Sequence, residues 1–328
     1  MTPLLEVRDL SIRFPPTRRD APPSLPVSRV SFTLARGETV ALVGESGSGK
    51  SLTGLALLGL VPAPGKLGED SRILLDGRDL AKLPAPAWRT VRGRRIGIVF
   101  QDALTSLTPV LSIGSQLREA ITAHRPLSRG AARRAALDLL AEVGLPDPAA
   151  HFGAFPHELS GGQRQRALIA IALAGQPDLL IADEATTALD VTIQAQVLET
   201  LDRLRATRGM AVLLITHDLG IVAGRADRVL VMYAGQLVEE APTAELFRAP
   251  AHPYTRSLFR AIPRLDGATG PLLPIQGTVP LPDEWRPGCR FQPRCREALP
   301  RCAHDEPPVV PLGPGLKSRC WLASAGPE

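Results

Sequence analysis

Gly44-Glu45-Ser46-Gly47-Ser48-Gly49-Lys50-Ser51 decides how this chain is read, because it sets glycines, a lysine and a hydroxyl in the order G-x-x-x-x-G-K-[ST]. The apolar run Val40-Ala41-Leu42-Val43 before it reads as a buried strand, and Leu52 to Leu60 after it as a helix. Glycines let the backbone wrap a phosphate chain with successive N–H groups pointing inward, and a helix starting there adds the positive end of its dipole. Lys50 is placed to reach the β- and γ-phosphates, and the Ser51 hydroxyl to ligate Mg²⁺. A Gly/Ser-rich turn without a ligand uses the same residue types, but has no need of every fixed position between a strand and a helix. The expectation is a nucleoside triphosphate site of still unspecified purpose.

Composition narrows the purpose. With 328 residues, 44% hydrophobic and 22% charged, the chain suits a soluble globular protein of more than one domain. Its longest apolar runs, around Leu52–Pro62 and Ala167–Gly175, fall short of the roughly 20 residues that span a bilayer. Glu6 and Asp9 interrupt the apolar N-terminus, which has no signal-peptide layout, so a membrane role is expected to come through partners. The net charge of +5 is scattered apart from Arg92-Arg94-Arg95 and Arg133-Arg134, and aromatic residues are 4% of the chain. That argues for a solvated surface and against nucleic acid as a partner.

Leu5 to Phe14 alternates as a half-buried strand, Pro15 to Pro26 with five prolines reads as a loop, and Val30–Leu34 as a second strand. Arg36-Gly37-Glu38 turns into the strand before the phosphate loop. Beyond the first helix, Pro62 to Gly68 breaks the chain, Ile73–Gly77 reads as strand and turn, and Ile96–Phe100 as a short buried strand ending at Gln101. From about 102 to 158 strand signals vanish. Ala132, Ala136, Leu139, Leu140 and Val143 recur at helical spacing until Gly144 and Pro146, so this segment reads as a helical insertion.

Leu159-Ser160-Gly161-Gly162-Gln163 precedes an apolar helix from Ala167 to Ala174, and Leu179–Ala182 is a strand followed by Asp183-Glu184. A helix over Val191–Thr207 leads to the strand Ala211–Thr216, ending at His217-Asp218. Val229–Tyr233 and Gln236–Glu240 form a hairpin about Ala234-Gly235. Two lead-in antiparallel strands and then strand–helix alternation give an α/β fold with a parallel sheet, whose ligand groups gather at the strands' carboxyl ends. Gly44, Asp183-Glu184 and His217 all stand at such ends.

Each end group has a chemical reading and a plainer one. Asp183 is placed to hold Mg²⁺ and Glu184 to act as general base toward water, whereas an isolated Asp-Glu after a strand is as often a helix N-cap. His217 is placed to contact a γ-phosphate or to stand as a surface histidine; Gln101 to bind water and metal; Phe14 to stack on a base or simply to pack. Ser-Gly-Gly at 160–162 reads as a second anion nest, although the first nest already has its phosphates. A simple Ser N-cap covers the local structure and leaves Gln163 unexplained.

Taken together, these segments resemble the ATP-binding subunits of ABC transporters across the whole chain. The phosphate loop 44–51, Gln101 as the Q-loop, the signature Leu159-Ser160-Gly161-Gly162-Gln163, the Walker B strand 179–184, Ala188-Leu189-Asp190 as the D-loop and the switch His217 occur in the family's order. The resemblance implies a P-loop NTPase (ABC ATPase) with an antiparallel β subdomain, a helical subdomain and a small cysteine-containing C-terminal extension. It implies a nucleotide-binding domain over 1–250, its helical subdomain near 102–158, and an extension over 251–328. It also implies that two such domains pair head to tail, each ATP lying between one partner's phosphate loop and the other's signature, with Asp190 beside it. Phe14 matches the adenine-stacking aromatic, where the family more often has Tyr.

Phe100–Leu107, Thr186–Thr192 and His252-Pro253-Tyr254-Thr255 resemble the dipeptide, oligopeptide and nickel importer branch in particular. Ala103 and Ala185 stand where that branch usually has Pro, and Thr108 where it usually has Asn; no reacting group is lost. The implied partners are a second ATP-binding subunit, usually a sibling chain, two membrane permease subunits and, indirectly, an extracytoplasmic solute-binding protein. The implied location is the cytoplasmic face of the cell membrane. Two rivals are a non-transport ABC protein acting on DNA or the ribosome, which usually carries a coiled-coil insertion or a second cassette, and an iron–sulfur sensor with a regulatory nucleotide site.

Residues 263–328 hold 13 of the 32 prolines and all four cysteines, and read as an appendix low in regular structure. Cys289, Cys295, Cys302 and Cys320 are separated by five, six and seventeen residues. Such thiolates suit Zn²⁺ or a [4Fe–4S] cluster, or remain free; the lack of a C-x-x-C pair leans away from zinc. The resemblance adds weight to the cluster, because some members of the importer branch carry such cysteines where a [4Fe–4S] cluster is implied.

Overall fold

The computed structural model describes residues 2–16, 23–101, 103–186, 189–261, 275–282 and 284–324, so Asp102, Thr187 and Ala188 of the phrases above lie outside the described residues. The chain divides into two compact units: Met1–Leu4, Leu34–Thr39 and Lys82–Ile215 form one, and Leu5–Thr33, Val40–Ala81 and Thr216–Glu328 the other.

In the second unit, strand Leu5–Phe14 pairs antiparallel with Arg72–Leu75 and Lys66–Leu67, and Arg72–Leu75 pairs with Arg78–Asp79. Leu5 and Val7 are buried, yet so are Leu10 and Ile12, a change of parity that strict alternation forbids. Asp9, at φ +47°, absorbs the extra residue, and its N–H donates to Ser31 Oγ over 2.8 Å. Arg29, at φ +50°, sits at the same kind of parity change in its own strand, and its N–H donates to Ser11 Oγ over 3.0 Å. That strand runs over Ser24–Leu34, so the expected loop to Pro26 is too long; proline is silent to a period-two pattern while still fitting extended backbone.

Strand Thr39–Val43 is buried at every residue and pairs parallel with Arg228–Tyr233, whose turn at Ala234-Gly235 leads to antiparallel Gln236–Pro242. Burial on both faces is why the parallel pair Val40–Val43 and Val229–Tyr233 reads as continuous apolar runs. The described tail is low in regular structure, as expected, but it is not an appendix without a core. Leu316–Ser318 pairs antiparallel with Gln236–Pro242, and Val310–Gly313 pairs with Leu316–Ser318. Phe291 is buried among Tyr233, Tyr254 and Val231, so the tail has its own share of core.

In the first unit, Ile96–Val99, Leu179–Asp183 and Ala211–Thr216 form parallel neighbours, with Ile98 opposite Ile181 and Asp183 opposite Ile215. Helices Ile113–His124, Arg129–Glu142 and Pro148–Gly153 start at Ser112, Ser128 and Asp147, each capping its own helix through a side-chain oxygen. Between 103 and 158 the described residues carry helix and no strand. Gly144, at φ +76°, ends the segment's longest helix. Among the described residues no helix is long and apolar enough to cross a membrane.

Candidate functional site

The first helix begins at Lys50, two residues earlier than its apolar pattern suggests, and ends at Leu57. Its N-cap Gly49 has φ +101°, and a Cβ there would stand 2.7 Å from the Pro26 carbonyl oxygen. At Gly44 a Cβ would stand 2.1 Å from the Met232 carbonyl oxygen, so both glycines are required by close backbone approach. Lys50 is 4% exposed, and its Nζ donates to the carbonyls of Gly44 over 2.8 Å and Glu45 over 3.0 Å. The ammonium thus holds the loop in the curled shape that a phosphate chain needs. Ser48 Oγ is buried in the same loop with no hydrogen-bond partner.

At the end of Leu179–Asp183, Asp183 is buried and Glu184 takes φ +46°, a left-handed conformation unusual for a residue with a Cβ. Its N–H donates to Ile215 O over 2.9 Å, and its Oε2 accepts from Gln101 Nε2 over 3.0 Å. Asp183 is therefore the last residue of a strand and Glu184 the kink after it, and neither caps a helix. Asp190 takes that task, its carboxylate accepting from Ile193 N–H over 3.0 Å at the start of Val191–Arg208. Ala185 is buried, His217 and Gln101 are exposed. Phe14 is half-buried with its ring against Gly65, where a Cβ would stand 2.7 Å from Cζ.

The signature helix spans Gly161–Leu173, starting six residues before the expected Ala167. Ser160 is its N-cap, and Gln163, which had no explanation in a simple cap, closes a capping box: Ser160 Oγ accepts from Gln163 N–H over 3.3 Å, and Gln163 Oε1 accepts from Ser160 N–H over 2.9 Å. Gly161 and Gly162 are its first helical residues, not a separate nest. A Cβ on Gly162 would meet Ile193 at 2.4 Å, so the second glycine lets two helices touch. Gly161 at the helix N-terminus is exposed, and the positive end of the helix dipole lies there.

All four cysteines are free and line one pocket with His252 and Phe291. Burial pushes the Cys289 thiol up to about 11, and raises Cys295 and Cys320 as well. Burial holds His252 down at about 3, so it is neutral there. Among the described residues, however, no group of three or more His, Cys, Asp and Glu side chains is arranged to hold a metal ion. The expected tetrahedral metal site is thus not assembled, although its donors share one pocket.

Two residues that hold the phosphate loop belong to no nucleotide motif. Arg294 holds the Glu45 carboxylate with both terminal nitrogens, and the Tyr254 hydroxyl accepts from Glu45 N–H over 2.9 Å. Tyr254 falls in the His252–Thr255 phrase, but nothing in that phrase points to the loop.

The buried parallel strands, the phosphate loop opening a helix, and the carboxylate pair after a strand define a P-loop ATPase of the ABC type. The comparisons agree. The ABC transporter family matches residues 27–187, and the oligopeptide/dipeptide transporter C-terminal region matches residues 238–302. The oligopeptide transport ATP-binding protein AppD of Bacillus subtilis is 47% identical over 98% of this chain and 97% of its own length. The dipeptide transport ATP-binding protein DppD of Escherichia coli is 44% identical over 97% of this chain and 96% of its own. The structure resembles the dimeric ATP-binding cassette MJ0796 bound to ADP and Pi, with TM-score 0.63 and 26% identity over 73% of this chain and 98% of that one. The chain belongs to the ATP-binding subunits of ABC transporters, in the branch with an oligopeptide/dipeptide-transporter C-terminal region.

Proposed function

We propose that this chain is the ATP-hydrolysing subunit of an importer for peptides or a related solute, bound peripherally at the cytoplasmic face of the membrane. The observation that carries the chemistry is Glu184, held at φ +46° directly after buried Asp183 and hydrogen-bonded to Gln101. Peptide import is supported by the likeness to AppD and DppD over nearly the full length of both.

In this reading the N–H groups of 44–51 and Lys50 bind the phosphates, and Phe14 stacks on the adenine. Ser51, Gln101 and Asp183 would hold Mg²⁺, which when bound neutralises charge on the phosphate oxygens. The donor set fits, since a hydroxyl, an amide and a carboxylate are the hard oxygen ligands that Mg²⁺ prefers. Glu184 takes a proton from the attacking water, Gln101 orients it, and His217 contacts the γ-phosphate. Leu159–Gln163 and Asp190 serve the ATP of a second subunit, so each chain carries half of two sites. Residues 1–250 act as the nucleotide-binding domain, with a helical subdomain near 102–158 that meets one of two permeases. Residues 251–328 act as the extension. A solute-binding protein outside the membrane supplies the cargo, and no nucleic acid takes part.

The four cysteines are read as ligands of a structural [4Fe–4S] cluster, with Zn²⁺ the weaker alternative. A single ion requires its donors to converge on one point, whereas a four-iron cube takes each thiolate on a different iron, so its ligands stand further apart. What supports a shared group is that all four thiols line one pocket, although among the described residues no group of three or more donors is arranged to hold a metal ion. An anaerobic preparation with a brown chromophore and stoichiometric iron supports the cluster; one lacking both rejects it. For transport, the native complex is purified from membranes: permease subunits are expected beside this chain, and co-purification with ribosomes or DNA instead contradicts the proposal.

A further inference from the structure

Arg294 lies 249 residues from Glu45, yet its Nη1 donates to Oε1 over 3.0 Å and its Nη2 to Oε2 over 2.9 Å. This two-pronged pair is not a loose surface contact, because the Arg294 side chain is 5% exposed. Nε also donates to the Gln276 carbonyl over 2.8 Å and Nη2 to that of Gly277 over 3.1 Å, which fixes the guanidinium plane. Behind it, buried Phe291 packs edge-on against Tyr233 at 5.1 Å and Tyr254 at 5.3 Å between ring centroids.

The far side of Glu45 belongs to the phosphate loop. Its N–H donates to the Tyr254 hydroxyl over 2.9 Å and its carbonyl accepts from Lys50 Nζ over 3.0 Å. A continuous set of contacts therefore runs from the core-anchored Phe291 and Arg294 through Glu45 to Lys50. A loop already held in its binding shape loses less conformational freedom when phosphate arrives.

We infer that Arg294 is a positioning residue for the phosphate loop, so that the C-terminal extension sets nucleotide affinity through Glu45. The inference rests on the reading of 44–51 as the ATP site. A purely structural pair would fasten the tail and lower the melting temperature, but leave affinity unchanged in the folded protein.

The test is a double-mutant cycle on the full chain: Arg294→Ala, Glu45→Gln and both together, with Mg²⁺ and a fluorescent ATP analogue titrated well below the melting temperatures. Each single change is expected to weaken binding about tenfold, and the double change no more than the worse single, since both remove one contact. Arg294→Lys, which keeps the charge but loses the fork, is expected to recover only part of the affinity. Wild-type affinity in both single variants, or losses that add, overturns the inference. A wild-type chain that binds no analogue overturns the ATP-site reading, and this inference with it, before any variant is compared. If Arg294→Ala does not fold, Glu45→Gln at the more exposed partner decides alone.

Discussion

Gln101 Nε2 donates to Glu184 Oε2 over 3.0 Å, joining the ends of two neighbouring parallel strands. The bond aims the carboxylate from a backbone conformation that few residues with a Cβ adopt, and an amide in its place preserves the shape while removing the proposed base. Glu184→Gln is expected to abolish steady-state ATP hydrolysis while retaining bound ATP and accumulating a closed dimer. Phosphate release and size-exclusion chromatography with ATP check both halves, and normal turnover in the variant would remove Glu184 from the role of base.

Lys50→Ala removes an ammonium from two loop carbonyls and, in the proposed function, from the nucleotide phosphates. ATP affinity is expected to fall roughly ten- to hundredfold, the scale of losing a charge-assisted contact. Equilibrium titration measures it. An unchanged affinity would mean that the lysine serves the loop alone.

Ser160→Ala opens the capping box at the signature. The helix is expected to lose about 1 kcal/mol, seen as a small drop in melting temperature. ATP binding to the chain's own phosphate loop should stay at the wild-type level, while hydrolysis in the assembled dimer falls. Loss of ATP binding in the isolated variant would contradict the division of labour between loop and signature.

Glu239 accepts from the N–H groups of Ala251 and His252, and burial raises its carboxyl above the ordinary range while those donors pull it back. A group whose value is raised on folding favours the folded state at low pH, and that contribution is lost as pH rises through the folded value. Glu239→Gln is therefore expected to gain melting temperature relative to wild type as pH is raised from 5 to 8. A difference independent of pH would show that burial does not govern this carboxylate.

The parallel core was legible because Val40–Val43, Leu179–Ala182 and Ala211–Ile215 are buried on both faces and read as unbroken apolar runs. The phosphate loop was legible because its backbone demands fixed glycines, two of which stand against carbonyl oxygens. Three things escaped. The signature helix begins with two glycines, the weakest helix formers short of proline, so only its apolar part looked helical. The tail's strands have three and four residues, with Pro311 among them, too few to display a period. The Arg294–Glu45 pair spans 249 residues, and no local pattern signals a partner so distant.

In the proposed function, residues 44–51 are half of a catalytic site that another subunit completes. The most direct measurement is ATP hydrolysis per chain as a function of protein concentration, with and without the second ATP-binding subunit. Turnover is expected to be slow at high dilution and to rise with concentration, or on addition of the partner subunit. Full turnover that is independent of dilution in the isolated chain would contradict it.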